Sequence, residues 1–415
     1  MRVSAPDARR VDRDWICKAA CILLIALNFA VALARSGGAG WDFVAYRSAV
    51  MAFLDGRDPY VVENLMRYSD WSWPFVYPPS TLVLFYPVVF FAEIVGYRFL
   101  WFLLLAASFL IVRSFDRDHQ PLFLATILMT GFMASYHNFR TGNIGFIELA
   151  FFGLAFKFVY GKKPALSAIF VGLAAWFKVY PALIGGAFVF GKGSIRDRIK
   201  PLFALFLVLV LIGGSSWVFF PRLTVSYLGA LTGRISGQHS PVKEADGSTN
   251  PSSFLFFKEA GERYLGAIPG ASTGLYILCA GLILGLFIRE ARREARDPVE
   301  VFSMGTWAIL LLLPRLKSYS LTLALIPAYF LMKDLDTRRK LLTLFLIGFA
   351  PLGLAAVYFV LRDLDLSSSW IGRQVLFLSE FRQWLSLLAA FVYLRRIPPR
   401  RAPSGPGTDS APGQS

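Results

Sequence analysis

Residues 201–220 read PLFALFLVLVLIGGSSWVFF and contain no charged side chain. An α-helix of about 20 apolar residues is long enough to cross the hydrocarbon core of a bilayer. Further apolar runs occupy residues 15–34, 98–112, 142–160, 273–288, 301–313, 321–332, 341–361 and 384–394. These runs are continuous instead of alternating, and a chain in lipid must pair its backbone groups within each segment. The sequence therefore predicts an all-α polytopic membrane protein, in agreement with its 56% of hydrophobic residues.

The positive charge of the chain is gathered in short segments between the apolar runs. There are 43 Lys and Arg against 27 Asp and Glu, which gives a net charge of +16. Basic clusters lie at residues 9–13, 191–200, 289–296, 338–340 and 395–401. This distribution favours a membrane surface over nucleic acid, and the positive-inside rule places these segments in the cytoplasm. The segments around Asp42 and at 221–270, 314–320 and 362–370 then face the opposite side, whereas the pattern assigns no side to residues 77–140.

We expect a single transmembrane domain at residues 15–394. A cytoplasmic tail at 1–14 precedes it, and a cytoplasmic tail at 395–415 follows it. The second tail is rich in Pro, Gly and Ser, a composition that predicts disorder because it has little apolar surface to bury. The domain has a first outer loop at 35–79 and a second outer loop at 221–271.

The first outer loop places one carboxylate next to a membrane span and surrounds it with aromatic side chains. Residues 41–46 read WDFVAY, and Asp42 is the acid. An acid held at a membrane surface is costly unless it has a partner or a task. The spacing of residues 46–54 predicts an interfacial amphipathic helix, and Asp58 before a proline predicts a turn or an N-cap. The aromatic rings of this loop either stack on sugar rings or form an interfacial aromatic belt, and the pattern leaves both interpretations open.

Lys178 and Glu148 are charged side chains that lie inside apolar segments. Residues 164–190 are apolar and yet flanked on both sides by basic clusters, which predicts a re-entrant pair of half-helices broken at Tyr180-Pro181. Lys178 then lies near the break and inside the protein, or it extends its amine to an interface instead. Glu148 is an intramembrane carboxylate and therefore a site candidate, although the sequence does not name its partner.

Several short motifs together resemble glycosyltransferase family 87. The most specific part is the first loop, with WDFVAY at 41–46, Gly56, Asp58-Pro59-Tyr60 and Tyr77-Pro78-Pro79. Other similar segments are Arg140-Thr141-Gly142-Asn143, Lys178-Val179-Tyr180-Pro181, STNPSS at 248–253 and PRLKSY at 314–319. The chain lacks the Gln of the family's Gly-Gln-x-Asn motif, and it has Arg315, Lys317 and Tyr319 where many members carry a His.

The resemblance covers residues 15–335 and implies a GT-C fold. This fold is a bundle of roughly 10–13 transmembrane helices whose extracytoplasmic loops carry short interfacial helices. The resemblance also implies a polyprenol-phosphate-mannose-dependent mannosyltransferase of the inner (plasma) membrane, with its active site on the extracytoplasmic side. Its partners would be a polyprenyl-phosphate-sugar donor, a glycolipid or glycan acceptor and membrane lipids, with no cofactor and no nucleic acid.

The chemistry of such a transfer assigns roles to individual residues. The acceptor hydroxyl must lose a proton, and Asp42 is our candidate for the general base. The resemblance implies an inverting reaction, in which one carboxylate suffices because the phosphate leaving group is already anionic. Fixed cations must stabilise that phosphate, and we predict this role for Lys178, Arg315, Lys317 and Arg140. The predicted substrate contacts are Trp41, Tyr46, Tyr60, Tyr77, Asn143 and Tyr319. No metal is expected, because the leaving group is a monophosphate and the chain has no clustered acidic motif.

Two other classes of protein stay open. A lipid or solute transporter also carries intramembrane Lys, Glu and Arg, although the chain shows no weak two-fold repeat of the kind common in transporters. If the protein is a structural or assembly factor, replacement of Asp42 should be harmless. Among transferases, an arabinose, glucose or aminoarabinose donor remains open, because aromatic stacking and one base do not distinguish hexoses from pentoses.

Overall fold

The computed structural model describes residues 8–34, 40–70, 72–116, 120–190, 194–232, 250–264, 270–293, 296–364 and 369–396. Throughout these ranges the regular structure is helical, and no β-strand is present in them. The predicted all-α class is therefore confirmed. Most of the tail predicted to be disordered, together with Ser248 and Thr249, lies outside the described residues.

The first half of the chain forms helices α1 to α10. They are α1 (Ala8–Ala34), α2 (Trp41–Leu54), α3 (Val62–Leu65), α4 (Thr81–Val95), α5 (Tyr97–Phe115), α6 (Pro121–Thr130), α7 (Ala134–Thr141), α8 (Gly145–Tyr160), α9 (Pro164–Ala175) and α10 (Tyr180–Ile184). A 3-10 turn at Gly131–Met133 joins α6 to α7, and a 3-10 segment at Gly185–Phe190 follows α10.

The second half forms helices α11 to α20. They are α11 (Ile195–Phe219), α12 (Pro221–Leu231), α13 (Ser253–Tyr264), α14 (Ala271–Ala291), α15 (Pro298–Leu312), α16 (Leu325–Met332), α17 (Thr337–Leu344), α18 (Ala350–Asp363), α19 (Trp370–Glu380) and α20 (Arg382–Leu394). A 3-10 helix at Ser318–Ala324 leads into α16, and a π-helical turn at Phe345–Phe349 joins α17 to α18.

Helix α11 illustrates how the sequence sets the boundaries of a membrane helix. At its start, the Ser194 hydroxyl accepts a hydrogen bond from the Asp197 backbone N–H, and the Asp197 carboxylate accepts one from the Ser194 N–H. This capping box satisfies two backbone donors that the helix itself leaves unpaired. The helix ends at Phe219, and Pro221 then begins α12, as expected for a proline in the first turn. Many of its apolar side chains are exposed, among them Val218 at 73%, which fits contact with lipid chains.

Five helices are long and apolar enough to cross a membrane, among the described residues. They are Asp14–Ala32, Tyr97–Phe115, Ile195–Phe219, Ala271–Ala291 and Thr337–Leu361. The bent pair α19 and α20, with an angle of 69° between them, adds a sixth if it forms one span. Shorter apolar helices are Thr81–Val95, Pro164–Ala175, Tyr180–Phe190, Pro298–Leu312 and Ser318–Met332. A polytopic membrane protein is confirmed, and the larger number of 10–13 spans stays a prediction because length alone does not show how the shorter helices lie in a bilayer.

Helix α8 lies at the centre of the bundle. It packs against α5 and α9, and α9 in turn packs against α11. The core contains three fully buried tryptophans, Trp101, Trp307 and Trp384. Such large rings dominate the dispersion contacts of a core, so the scaffold around α8 is densely packed. Because Glu148 lies in the first turn of α8, this packing also fixes the position of its carboxylate.

Two segments predicted from the sequence can be compared with the structure directly. The helix predicted at 46–54 is confirmed within α2, but it packs inside the protein, with Tyr46, Ala49 and Ala52 buried. The break predicted within 164–190 is also confirmed. It lies at residues 176–179, between α9 and α10, just before the predicted Tyr180-Pro181.

Candidate active site

Four segments that are distant in sequence meet around Asp42. They are the first turn of α2, the connection between α7 and α8, the break between α9 and α10, and the 3-10 helix Ser318–Ala324. Each of them is the end of a helix or an interruption in one. Helix ends leave backbone groups unpaired and turn the chain sharply, so they bring short polar side chains together inside an otherwise apolar bundle.

Asn143 connects the carboxylate of Asp42 to the amine of Lys178. Its Nδ2 donates to Asp42 Oδ2 at 2.9 Å and to the Tyr46 hydroxyl at 3.2 Å, and its Oδ1 accepts from Lys178 Nζ at 2.9 Å. The orientation of the amide is fixed by chemistry, because a lysine only donates and a carboxylate only accepts. The Asn143 backbone is held as well, since its carbonyl accepts from Trp101 Nε1. Asn143 is therefore a rigid link that sets where Asp42 points.

Gly142 allows this link to form. Its φ of +72° lies in the left-handed region, which suits glycine at the end of α7. A Cβ at this position would lie 2.6 Å from the Cβ of Phe43. The α7–α8 connection can therefore approach the first turn of α2 closely only because residue 142 has no side chain.

Lys178 forms an ion pair with Glu148. The distance from Lys178 Nζ to Glu148 Oε2 is 3.1 Å, and the two side chains are 14% and 1% exposed. The amine also lies 4.7 Å from the centre of the Tyr319 ring. The structure thus names the partner of Glu148, and it shows Lys178 paired inside the protein instead of reaching to an interface. A buried ion pair of this kind is costly to break, because removal of one partner leaves an uncompensated charge.

Tyrosines form the wall of the site on one side of Asp42. The hydroxyls of Tyr46 and Tyr77 lie 2.9 Å apart, and Tyr46 stacks on Phe85 at a ring distance of 4.5 Å. Behind them, the fully buried Tyr60 donates its hydroxyl to the Tyr77 carbonyl at 2.6 Å. Tyr46 and Tyr77 are placed next to Asp42 by these bonds, whereas Tyr60 supports Tyr77 from within the core. The turn predicted at Asp58 is confirmed, since its carboxylate accepts from the Tyr60 N–H at 2.8 Å.

Asp42 itself is partly exposed, in contrast to the fully buried Asn143 and Glu148. Burial raises the pKa of the Asp42 carboxyl above its ordinary value, while hydrogen bonds from Asn143 and Thr141 and the charges of Lys178 and Lys317 oppose the rise. Asp42 also lies in the first turn of α2, where the helix dipole favours a negative charge. A partly exposed carboxylate with a raised pKa and a fixed orientation has the properties of a general base.

The segment at 314–319 brings positive charge to the same place. Lys317 interacts electrostatically with Asp42, and Arg315 with Tyr319. The second outer loop fixes this segment at two points. The Asn250 side chain accepts from the Leu316 N–H at 2.7 Å, and the Ser252 hydroxyl donates to the Pro314 carbonyl at 2.8 Å.

Arg140 lies apart from this network. Its guanidinium is exposed and lies 5.5 Å from the centre of the ring of Trp41, the first residue of α2. Its neighbour Asn138 points inward and donates to the Tyr319 carbonyl at 3.1 Å, so α7 is tied to the 3-10 helix. The predicted phosphate contact of Arg140 and the predicted substrate contact of Trp41 stay predictions.

Sequence reasoning missed two elements of the site. Glu148 and Lys178 are 30 positions apart in the sequence, and the sequence gives no signal that they form a pair. The contacts of Asn250 and Ser252 with residues 314–316 also depend on the tertiary fold, although the polar loop segment was visible in the sequence. Among the described residues, no group of three or more His, Cys, Asp or Glu is placed to hold a metal ion.

The profile of glycosyltransferase family 87 matches residues 75–314, more than half of the 415-residue chain. The chain belongs to glycosyltransferase family 87. It is therefore a membrane glycosyltransferase. The match to family 87 includes Asn143, Glu148 and Lys178, and it ends one residue before Arg315. Asp42 precedes the matched region and is brought to it by the hydrogen bond from Asn143. No curated protein matches the chain.

Proposed function

We propose that this family 87 glycosyltransferase moves a sugar from a polyprenyl-phosphate donor to a hydroxyl group of a glycolipid or glycan, with Asp42 as the general base. The resemblance of the motifs to the family implies that the sugar is mannose. The observation that carries the proposal is the geometry of Asp42, a partly exposed carboxylate held by Asn143 beside the cation of Lys317. The carboxylate takes the proton of the acceptor hydroxyl, and the hydroxyl oxygen attacks the anomeric carbon as the bond to phosphate breaks.

The charges around the site support separate roles for the cations. Lys178 is committed to Glu148 and Asn143, so its amine is already neutralised and hydrogen bonded. We therefore assign Lys178 to positioning Asn143, and through it Asp42. Arg315 and Lys317 are less buried and lie on a segment that the second outer loop fixes. Cations on a fixed segment stabilise the charge that develops on a leaving phosphate.

The basic clusters support a particular orientation in the membrane. The residues just before α11 and in its first turns are basic, and so is the end of α14. By the positive-inside rule these ends lie in the cytoplasm. Helix α1 also begins with a basic segment. Asp42 lies in α2, the helix that follows the other end of α1 in the chain. We therefore place the active site on the extracytoplasmic side of the inner membrane, where the lipid-linked sugar and the acceptor meet.

The test compares sugar transfer by wild type and Asp42→Asn. Membrane vesicles that contain equal amounts of each protein receive radiolabelled polyprenyl-phosphate-mannose, and the label in membrane lipid and glycan is counted. Asn keeps the shape of Asp and removes its basicity, so transfer should fall by about 10²- to 10⁴-fold. Asp58→Asn is the matched control, because it is the same change in the same loop and an Asn oxygen can still accept from the Tyr60 N–H. This control should transfer at nearly the wild-type rate.

Each other outcome points to a specific alternative. If wild type transfers no mannose but transfers label from an arabinose or glucose donor, the sugar is wrong and the mechanism stands. If Asp42→Asn equals wild type in transfer, Asp42 is structural and the base lies elsewhere.

A further inference from the structure

Several buried polar atoms have no hydrogen-bond partner among the described residues, and three of them belong to side chains that interact with one another. They are the Tyr136 hydroxyl, His137 Nε2 and Arg382 Nε. A buried donor or acceptor that is left unpaired costs about 1–3 kcal/mol, and native proteins contain few such groups. Tyr136 and Arg382 are only 7% and 6% exposed, so bulk water does not satisfy them.

These three side chains lie together. His137 interacts electrostatically with Arg382 and Arg140, and Arg382 interacts with Tyr136. The ring of Tyr136 contacts that of His137 at 5.2 Å. A bond from α20 to the turn before α7 holds the two helices in register, since Gln383 Nε2 donates to the Phe132 carbonyl at 3.0 Å.

The backbone before α7 is strained in a way that fixes this arrangement. Phe132 and Met133 have φ values of +52° and +56°, in the left-handed region that residues with a Cβ avoid. Each such residue costs roughly 1–2 kcal/mol, which the surrounding packing must offset. Strain of this kind clusters at functional sites, and here it lies directly before α7, the helix that carries Tyr136 and His137.

The chemistry of the cluster suits an anionic oxygen ligand. Arg382 uses one nitrogen to donate to the Ser379 carbonyl at 2.6 Å, and Glu380 is the carboxylate within its electrostatic reach. Arg140 adds a second cation at the exposed end of α7, so the positive charges exceed the negative ones. A phosphate group offers the several acceptor oxygens and the negative charge that a guanidinium and a tyrosine hydroxyl would bind.

We propose that Tyr136, His137 and Arg382, with Arg140 at the entrance, bind a phosphate group carried by the lipid-borne acceptor. Arg140 lies on the ring of Trp41, and the next residue is Asp42. An acceptor whose phosphate lies in this cluster therefore has its head group next to the base. The assignment to the acceptor rests on the proposed function, because Arg315 and Lys317 are there assigned to the donor phosphate.

The test measures binding of a defined probe without any transfer reaction. Full-length protein in neutral detergent micelles is titrated with dodecyl phosphate, and the unfolding temperature is recorded. Wild type should be stabilised in a saturable way. Tyr136→Phe removes one hydroxyl and keeps the ring, so the apparent affinity for dodecyl phosphate should fall by about tenfold or more. Arg382→Gln should reduce the stabilisation to the part that the donor site at Arg315 and Lys317 supplies, and the exposed Arg373→Gln on the neighbouring helix α19 is the matched control.

The two variants also separate a ligand role from a structural one. Tyr136→Phe removes an unpaired buried hydroxyl, so the empty protein should be at least as stable as wild type even though the probe binds less well. If both variants bind dodecyl phosphate as Arg373→Gln does, the proposal is overturned.

Three further experiments separate this site from the proposed base and identify the source of the phosphate. Asp42→Asn should keep the full response to dodecyl phosphate, so a failure of the proposed base does not affect this result. Phosphatidylglycerol is titrated in parallel, and an equal response that depends on Tyr136 and Arg382 would assign the site to bulk membrane lipid and overturn its assignment to the acceptor. In the transfer assay, the labelled product should bind to an anion-exchange column. Tyr136→Phe should lose most transfer activity at a low concentration of the acceptor lipid and regain it at a high concentration of that lipid. A neutral labelled product would contradict the proposal.

Discussion

The ion pair between Lys178 and Glu148 gives the sharpest prediction about the scaffold of the site. With the charged atoms 3.1 Å apart, their attraction is about 5 kcal/mol at an effective dielectric constant of 20. Lys178→Met removes the cation and leaves a carboxylate that is 1% exposed without its counter-charge. Removal of one partner of a buried pair costs about 3–5 kcal/mol, so we expect a loss of that size in the free energy of unfolding.

The double variant Lys178→Met/Glu148→Gln should recover most of this stability. It removes both charges, and a neutral pair of similar volume avoids the desolvation of two ions. The coupling energy between the two sites should be about 2–3 kcal/mol. Transfer activity should nevertheless stay more than tenfold below wild type, because Asn143 has lost the donor that fixes its amide and thereby Asp42.

The assay is unfolding of the purified protein in mixed micelles of dodecyl maltoside and sodium dodecyl sulfate, with the transfer assay run on the same samples. Lys157→Met is the control, because Lys157 is exposed on the same helix as Glu148 and its loss should change stability by less than about 0.5 kcal/mol. Additive effects of the two single changes, with a coupling energy under about 0.5 kcal/mol, would refute the reasoning about the pair. A fully active double variant would refute the positioning role of Lys178.

Three more predictions concern the site itself. The base works in its ionised form, so kcat/KM for transfer should fall as the pH drops through the raised pKa of Asp42. A profile of kcat/KM that stays flat at pH values below the ordinary pKa of an aspartate would contradict this. Gly142→Ala should destabilise the protein by more than about 1 kcal/mol and lower transfer, because the added methyl group meets a left-handed backbone and a clash with Phe43. The control is Gly213→Ala in α11, where a Cβ meets nothing within 4 Å. This control should be neutral or slightly stabilising in the same unfolding assay. Asn250→Ala removes the acceptor for the Leu316 N–H, so we expect the free energy of unfolding to fall by about 1 kcal/mol and the KM for the donor to rise. An unchanged KM would show that the second outer loop does not position residues 314–319.

The sequence was most informative where one residue type can serve only one physical purpose. The uncharged run at 201–220 predicted a membrane helix, and α11 begins six residues before this run, in a basic segment, and ends at Phe219. Asp58 predicted a turn because a short carboxylate before proline bonds the backbone nearby. Residues 46–54 show the opposite case, since a helix was correctly predicted there but its place inside the protein was not. The pattern of one helix does not reveal what packs on its second face, and here α4 does.

The sequence by itself determined the membrane class, the helical structure, the family resemblance and the choice of Asp42 as the acid of the first outer loop. These follow from local properties, namely hydropathy, backbone pairing in lipid and the identity of short motifs. Only the tertiary structure decided that Asn143 lies between Asp42 and Lys178, that Glu148 neutralises Lys178, and that Tyr136 and Arg382 converge near the entrance. Those contacts join residues from 30 to 246 positions apart, and such pairings are set by the packing of whole helices and not by any single segment.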